Sequence, residues 1–323
     1  MSRGYVMFPW LFQFVFMIHS VCRHLMSRFS VLFIFLLVSS TVFSYETDDL
    51  KYEIEKYLKD KRAEVGVAVI SDKGDTLTVN NSIRYPLMSI FKFHQALAVL
   101  NTLSANNCSL DSLLYISAND LLEDTYSPLR DKYPAGNINI SVRDLLKYTL
   151  LLSDNNACDI LFRRVVGVKE TDDFIRSLGI DDFSIVANED DMHTEMDMCY
   201  SNWSSPLSCA VLIDKLLNGE VLNGEYKSFV IDTMLECKTG ENRLPAVSLE
   251  RGTKIGHKTG TGATNKHGEI IAVNDIGFVL LPNRHKYSVA VLIKDSKESL
   301  HDTEKIISEI SQMVYYDALK TYK

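Results

Sequence analysis

The hydrophobic period of this chain changes twice, and that limits the folds open to it more than any other feature. A short β-rich run over 64–71 is followed by apolar alternation with a period of two over 76–80; the spacing becomes helical from 88 to about 237 and returns to period two over 253–258, 273–281 and 287–293. Helical spacing also marks 47–59, through Leu50, Ile54, Tyr57 and Leu58, and 303–319. Lys73-Gly74-Asp75 supplies turn chemistry between the first two strands. Short strands far apart in sequence bury their apolar faces by pairing with one another. The expected fold is therefore α+β: an antiparallel sheet built from both ends of the chain, flanked by terminal helices, with an all-helical domain inserted. The sheet domain is expected over 45–84 and 244–323, and the helical domain over 85–243. Within the latter, periodicity fails between about 180 and 205, a stretch rich in Asp, Asn and Glu and long for a plain connection. A cleft between the two domains is the natural place for a site.

Residues 1–44 differ in kind from the rest. Met26-Ser27-Arg28 precedes an apolar run that ends near Val42 and Ser44, the pattern of a signal peptide cleaved after Ser44, and Met26 is a candidate true start. The expected destination is the periplasm or the exterior, with no stable membrane association. Each apolar run is shorter than the roughly 20 residues that span a bilayer. The net charge is −8, and beyond residue 44 the balance is 31 basic against 42 acidic residues, which repels nucleic acid. The exported part holds five scattered cysteines with no legible pairing, and the eight histidines show no ligand spacing. No metal, no other cofactor and no obligate oligomer is expected, and the chain reads as a monomer.

Chemistry enters at Ser89 and Lys92. Three residues apart at the start of a helix, a hydroxyl and an amine stack on one face, so the amine can take the hydroxyl's proton or stabilise the alkoxide. A serine alcohol is a poor nucleophile until something does this. Ser-x-x-Lys also arises by chance in long proteins, so its neighbours have to support it. Ser153-Asp154-Asn155 follows a helix that Ser141 and Asp144 are suited to cap, and brings a second hydroxyl and an amide. Lys258-Thr259-Gly260-Thr261-Gly262 ends a strand with a cation, hydroxyls and glycines that permit close backbone approach. Glu189, in the irregular stretch, is an acid with no evident partner nearby in sequence.

Ser-x-x-Lys, then Ser-Asp-Asn 64 residues on, then Lys-Thr-Gly 105 residues after that, is the ordered set of the penicillin-recognising serine enzymes. The chain resembles a class A serine β-lactamase over roughly 47–319. That resemblance implies Ser89 as the acylated nucleophile with Lys92 in its proton relay, and Ser153 as the group that passes a proton to the departing lactam nitrogen. It implies Glu189 as the carboxylate that activates the deacylating water, with Lys92 and Glu189 both open as the base in acylation. It further implies an oxyanion hole from the backbone N–H groups of Ser89 and Thr261, and Asn155 as the positioner of the substrate side chain. Lys258, Thr259, Gly260 and Thr261 then form the anchor for the substrate carboxylate, with Arg243 an assisting cation and Tyr126 an aromatic wall.

Two departures stand out. His193 occupies the place of the water-holding asparagine, and Ala187 and Asn202 stand where an arginine–aspartate clamp is usual. These features resemble the cephalosporinase and extended-spectrum branch of class A, which implies a roomier site and cephalosporins as favoured substrates. The competing readings are a penicillin-binding D-alanyl-D-alanine transpeptidase or carboxypeptidase, and a non-enzymatic β-lactam sensor domain. Glu189, as a deacylating group, separates a hydrolase from both.

Overall fold

The computed structural model describes residues 49–322 apart from Ser248. The leader expected over 1–44, with its alternative start at Met26 and cleavage near Ser44, lies outside them. The chain divides between Tyr52 and Glu53, and the fold described here is that of the part from Glu53 onward.

After the helical segment α1 (residues 49–58) come β1 (Glu64–Ser71) and β2 (Thr76–Val79). The other strands of the main sheet, β8 (Lys254–Thr261), β9 (Ile270–Leu280) and β10 (Lys286–Ser296), lie near the far end of the chain. The sheet order is β2-β1-β10-β9-β8, with every neighbour antiparallel. The link between β1 and β2 turns at Gly74, whose φ of 86° is readily adopted by glycine.

β9 and β10 are buried along almost their whole length, so both faces of the sheet are covered. Ala68, Ile70, Ile276, Phe278, Ala290 and Leu292 face a large core shared with the helices, including α8 (Pro206–Asn218). On the other face lies α10 (Leu300–Thr321), with Ile306, Ile307, Ile310 and Val314 buried.

Between the two sheet segments the chain is mainly helical. α2 (Phe91–Ala105) is buried from Phe91 to Leu100 on every side, the polar Lys92, His94 and Gln95 included. A tight 3-10 turn, Met88–Ile90, leads into it. Around it lie α3 (Pro128–Lys132), α4 (Val142–Leu151), α5 (Asn155–Arg164) and α6 (Val168–Ser177). Ser141 caps α4 by accepting from Asp144 N at 3.0 Å, and Asp154 caps α5 by accepting from Ala157 N at 2.9 Å. A small hairpin pairs β4 (Leu113–Ile116) with β5 (Ile138–Ser141).

The stretch without sequence periodicity is built of short pieces. It holds β6 (Phe183–Ser184), α7 (Glu189–Thr194), a 3-10 turn at Met196–Tyr200 and β7 (Trp203–Ser204). β7 pairs with β6 and with β3 (Tyr85–Pro86), just ahead of Ser89. α7 opens on a capping box between Asn188 and Asp191. Elements of two to six residues are too short to show a period. After α8 the chain runs through α9 (Gly224–Leu235) to Arg243 and back to β8.

Cys108, Cys158, Cys199, Cys209 and Cys237 are free thiols. Among the described residues no helix is long and apolar enough to cross a membrane. Leu97 is fully buried at the centre of α2. Leu97→Ala is expected to destabilise the fold by about 2–5 kcal/mol and to lower Tm by on the order of 10 °C, measured by thermal unfolding.

Candidate active site

The turn that carries Ser89 is held from two sides. Asn274 on β9 donates to Pro86 O at 2.7 Å and to Leu87 O at 3.1 Å, while Leu87 N donates to Asn202 O at 2.8 Å. β8 approaches closely at Gly260, where an added Cβ would lie 2.6 Å from Leu87 O. Only a residue without a side chain allows that approach.

Ser89 then sits among charges. Lys92 is fully buried, and its Nζ donates to Ser89 Oγ at 2.8 Å, Asn155 Oδ1 at 2.7 Å and Ser153 O at 3.1 Å. Glu189 Oε1 is 2.5 Å from the same ammonium and accepts from Ser89 Oγ at 3.3 Å. One serine hydroxyl thus accepts from an amine and donates to a carboxylate. Lys258, also fully buried, donates to Ser153 Oγ at 2.9 Å and to Thr259 O at 2.7 Å. Burial first, and the charge of Lys92 second, lower the Lys258 pKa from 10.5 to about 7.

The cleft over these groups measures about 450 Å³, with Ser89, Ser153, Asn155, Glu189, Thr259 and Thr261 in its lining. Tyr126, 56% exposed, forms part of the wall, and its carbonyl accepts from Asn155 N at 3.0 Å. His193 also lines the cleft, but its Nε2 faces outward to Asp124 Oδ2 at 3.4 Å. Arg243 stands behind the cleft, 3% exposed. It donates to Gly260 O at 3.2 Å, Asn274 O at 2.9 Å and Thr261 Oγ1 at 2.7 Å, and pairs with Glu304 at 3.2 Å. Its charge reaches the cleft through Thr261.

Sequence reasoning missed three supporting groups. Asp159 on α5 is 2% exposed and accepts from Glu189 N and Asp190 N, each at 3.0 Å, fixing the first turn of α7. Burial raises its pKa to about 6, against the pull of those N–H groups. A carboxylate inside the apolar run 157–162 was its one sequence signal. Thr125 Oγ1 accepts from Asn155 Nδ2 at 2.9 Å, and Thr239 Oγ1 lies 2.6 Å from Thr259 Oγ1; neither carries a signal of its own. Asn202 closes the 180–205 segment. Its Oδ1 accepts from Val186 N at 2.8 Å and Ala187 N at 3.0 Å, and its Nδ2 donates to Ala187 O at 2.8 Å. An amide bonded to backbone thus does the work of an ion-pair clamp.

The profile of the β-lactamase enzyme family matches residues 49–318. A β-lactamase of Bacteroides uniformis is 40% identical over 292 residues, spanning 90% of this chain and 98% of its own. The crystal structure of a class A β-lactamase from Bacteroides cellulosilyticus superposes with a TM-score of 0.81 at 41% identity, over 85% of this chain and 99% of that one. The chain belongs to the class A β-lactamases. It is a serine hydrolase of β-lactam antibiotics and confers resistance to them. The VEB-1 β-lactamase of Pseudomonas aeruginosa is 37% identical, over 84% of this β-lactamase and 90% of itself. The crystal structure of the TLA-1 extended-spectrum β-lactamase has a TM-score of 0.82 and 44% identity, over 84% of this chain and 98% of that one. The α+β architecture of the family is the one described above.

Because Asp159 uses both oxygens on the turn that carries Glu189, Asp159→Asn would set an NH2 against one of those N–H donors. This variant of the β-lactamase is expected to lose on the order of 10–100-fold in turnover of a chromogenic cephalosporin, measured in steady state beside its Tm.

Proposed function

We propose that this β-lactamase works through a Ser89 acyl-enzyme that Glu189 hydrolyses, and that it favours cephalosporins over penicillins. The observation that carries the first part is the position of Ser89 Oγ, bonded at once to Lys92 Nζ and Glu189 Oε1. Ser89 Oγ attacks the lactam carbonyl and gives its proton to the Lys92–Glu189 pair. The oxygen of the tetrahedral intermediate meets the backbone N–H groups of Ser89 and Thr261, aimed where charge develops. As the carbon–nitrogen bond breaks, Ser153 gives its proton to the lactam nitrogen and regains one through its contact with Lys258. Lys258, Thr259, Gly260 and Thr261 hold the substrate carboxylate, with Arg243 acting through Thr261 Oγ1. Asn155 and Tyr126 position the side chain of the drug.

Deacylation adds one water. Glu189 takes its proton, the hydroxide attacks the acyl carbon, and Ser89 leaves with a proton returned to Oγ. A penicillin-binding transpeptidase is not favoured, because Glu189 lies within hydrogen-bond distance of the nucleophile. The cephalosporin preference is supported by His193 turned towards Asp124, by the Asn202 closure in place of a charged clamp, and by the similarity to TLA-1, an extended-spectrum β-lactamase. We read residues 45–84 with 244–323 as the sheet domain and 85–243 as the helical one, with the cleft between them, a reading supported by the sheet order. The pattern of residues 26–44 supports export to the periplasm or beyond the cell.

In the decisive experiment, wild type hydrolyses a chromogenic cephalosporin, Ser89→Ala does not, and Glu189→Ala accumulates an acyl adduct visible by intact mass. kcat/KM is expected to be higher for cephalosporins than for benzylpenicillin, and a strong preference for benzylpenicillin would sink the substrate assignment. The Lys258 ammonium is present below its pKa and lost above it. The basic limb of kcat/KM is therefore expected below the ordinary lysine value of 10.5, towards about 7, and Lys258→Arg should move it upward, since guanidinium stays charged.

A further inference from the structure

Behind the cleft, on the face of β8 that turns away from Lys258, lies a buried ion pair that the reaction does not use. His257 and Lys258 are consecutive on the strand and so point to opposite faces. His257 Nδ1 is 2.9 Å from Asp275 Oδ1 and 3.0 Å from Asp275 Oδ2 on β9, and the two residues are 3% and 0% exposed. Gly277, across from His257 in the ladder, makes the room, since an added Cβ there would lie 2.9 Å from His257 Cα. Burial lowers the pKa of the imidazole, and Asp275, first among the groups that oppose it, helps to raise it to about 10. The contact is therefore one between charges.

Two apolar side chains of similar size would join these strands as well as a buried ion pair, or better. What they could not do is accept a hydrogen bond, and Asp275 accepts one. Leu244 N donates to Asp275 Oδ2 at 3.1 Å. Leu244 is fully buried and opens the 3-10 turn Leu244–Ala246, where an N–H finds no partner inside the turn. It is also the residue after Arg243, whose guanidinium donates to Thr261 Oγ1 and Gly260 O. Asn274, the neighbour of Asp275, accepts from the same guanidinium through its carbonyl at 2.9 Å. Two consecutive residues of β9 thus hold the backbone beside Arg243 and its side chain, and His257 holds the carboxylate that does the first.

We propose that His257 and Asp275 form a positioning pair for the carboxylate anchor of this β-lactamase: through Leu244 N they fix the chain at Arg243, and so set how strongly the enzyme prefers a substrate with a free carboxylate. The proposal rests on the reading above of Lys258, Thr259, Gly260, Thr261 and Arg243 as that anchor. Neither member of the pair touches substrate. His257 orients the Asp275 carboxylate, Asp275 holds Leu244, and the backbone there decides how far the guanidinium extends towards Thr261 Oγ1, 2.7 Å away. Glu304 on α10 steers the same guanidinium at 3.2 Å but does not hold its backbone. A contact with the substrate carboxylate is made alike in the ground state and the transition state, so its weakening raises KM and leaves kcat.

The test compares a chromogenic cephalosporin with its methyl ester on the full chain, for wild type and three variants. His257→Leu combined with Asp275→Val replaces the ion pair by apolar side chains, which keeps the strands packed but leaves Leu244 N without an acceptor. This double variant is expected to lose about tenfold of the acid-over-ester preference in kcat/KM, through the KM of the acid, with kcat within about twofold. Asp275→Asn keeps an acceptor for Leu244 N and should retain most of the preference. Asp275→Ala removes the acceptor and should behave as the double variant does, which decides the matter if the double variant fails to fold. The proposal is overturned if the double variant or Asp275→Ala prefers the acid as strongly as wild type, if acid and ester lose equally, as a general loosening of the fold would produce, or if Asp275→Asn falls as far as Asp275→Ala. A wild type that hydrolyses acid and ester alike overturns the anchor itself, and the proposal with it.

Discussion

A fully buried ammonium is the constraint on which the rest of this molecule depends. Lys92 has no solvent to meet its charge, and an unpaired cation in that position would cost several kcal/mol. Four oxygens answer it: Ser89 Oγ, Ser153 O, Asn155 Oδ1 and Glu189 Oε1. They come from the 3-10 turn that leads into α2, the 153 turn, the first residue of α5 and the first residue of α7. Satisfying one charge therefore fixes three helices against one another. The groups that solvate the charge are also those the chemistry uses, so folding and preorganisation are one problem here.

Of the four, Glu189 is the hardest to place, because it stands on a segment of short elements with no sustained apolar period. The segment is pinned by amides and carboxylates bonded to backbone. Asn202 gathers the groups of Val186 and Ala187, and Asp159 gathers those of Glu189 and Asp190. A charged clamp between two side chains would leave the backbone between them to find other partners. Bonding the backbone directly places the turn that carries Glu189, which matters more for a carboxylate 3.3 Å from its target hydroxyl. The arrangement also frees His193 to turn towards Asp124.

What sequence could show follows from what is local. Long helices and strands were legible because their periods run for ten residues or so, and Ser141 announces its cap by residue type. The Ser89, Ser153 and Lys258 motifs were legible because each is a short run in fixed order. Asp159, Thr125 and Thr239 were not, since each acts on a group distant in sequence, and nothing about a lone threonine tells which hydroxyl it will meet. Arg243 shows the same limit from the other side. Its charge was visible, but its distribution over Gly260, Asn274, Thr261 and Glu304 depends on how β8, β9 and α10 come together.

The site also stores strain where the chemistry needs two contacts from one residue. Ser153 has a φ of 59° and Met88 a φ of 46°, left-handed conformations that cost a non-glycine residue on the order of 1 kcal/mol. At Ser153 the reason is visible. Its carbonyl accepts from Lys92 at 3.1 Å while its hydroxyl accepts from Lys258 at 2.9 Å, so one residue faces two buried cations with two different oxygens. The next residue holds the turn in place. Asp154, fully buried, accepts from Ser127 Oγ, Leu129 N and Ala157 N, and these bonds offset both its own burial and the strain beside it. The Asp of Ser-Asp-Asn never touches the cleft, yet it is what allows the Ser and the Asn on either side of it to do so.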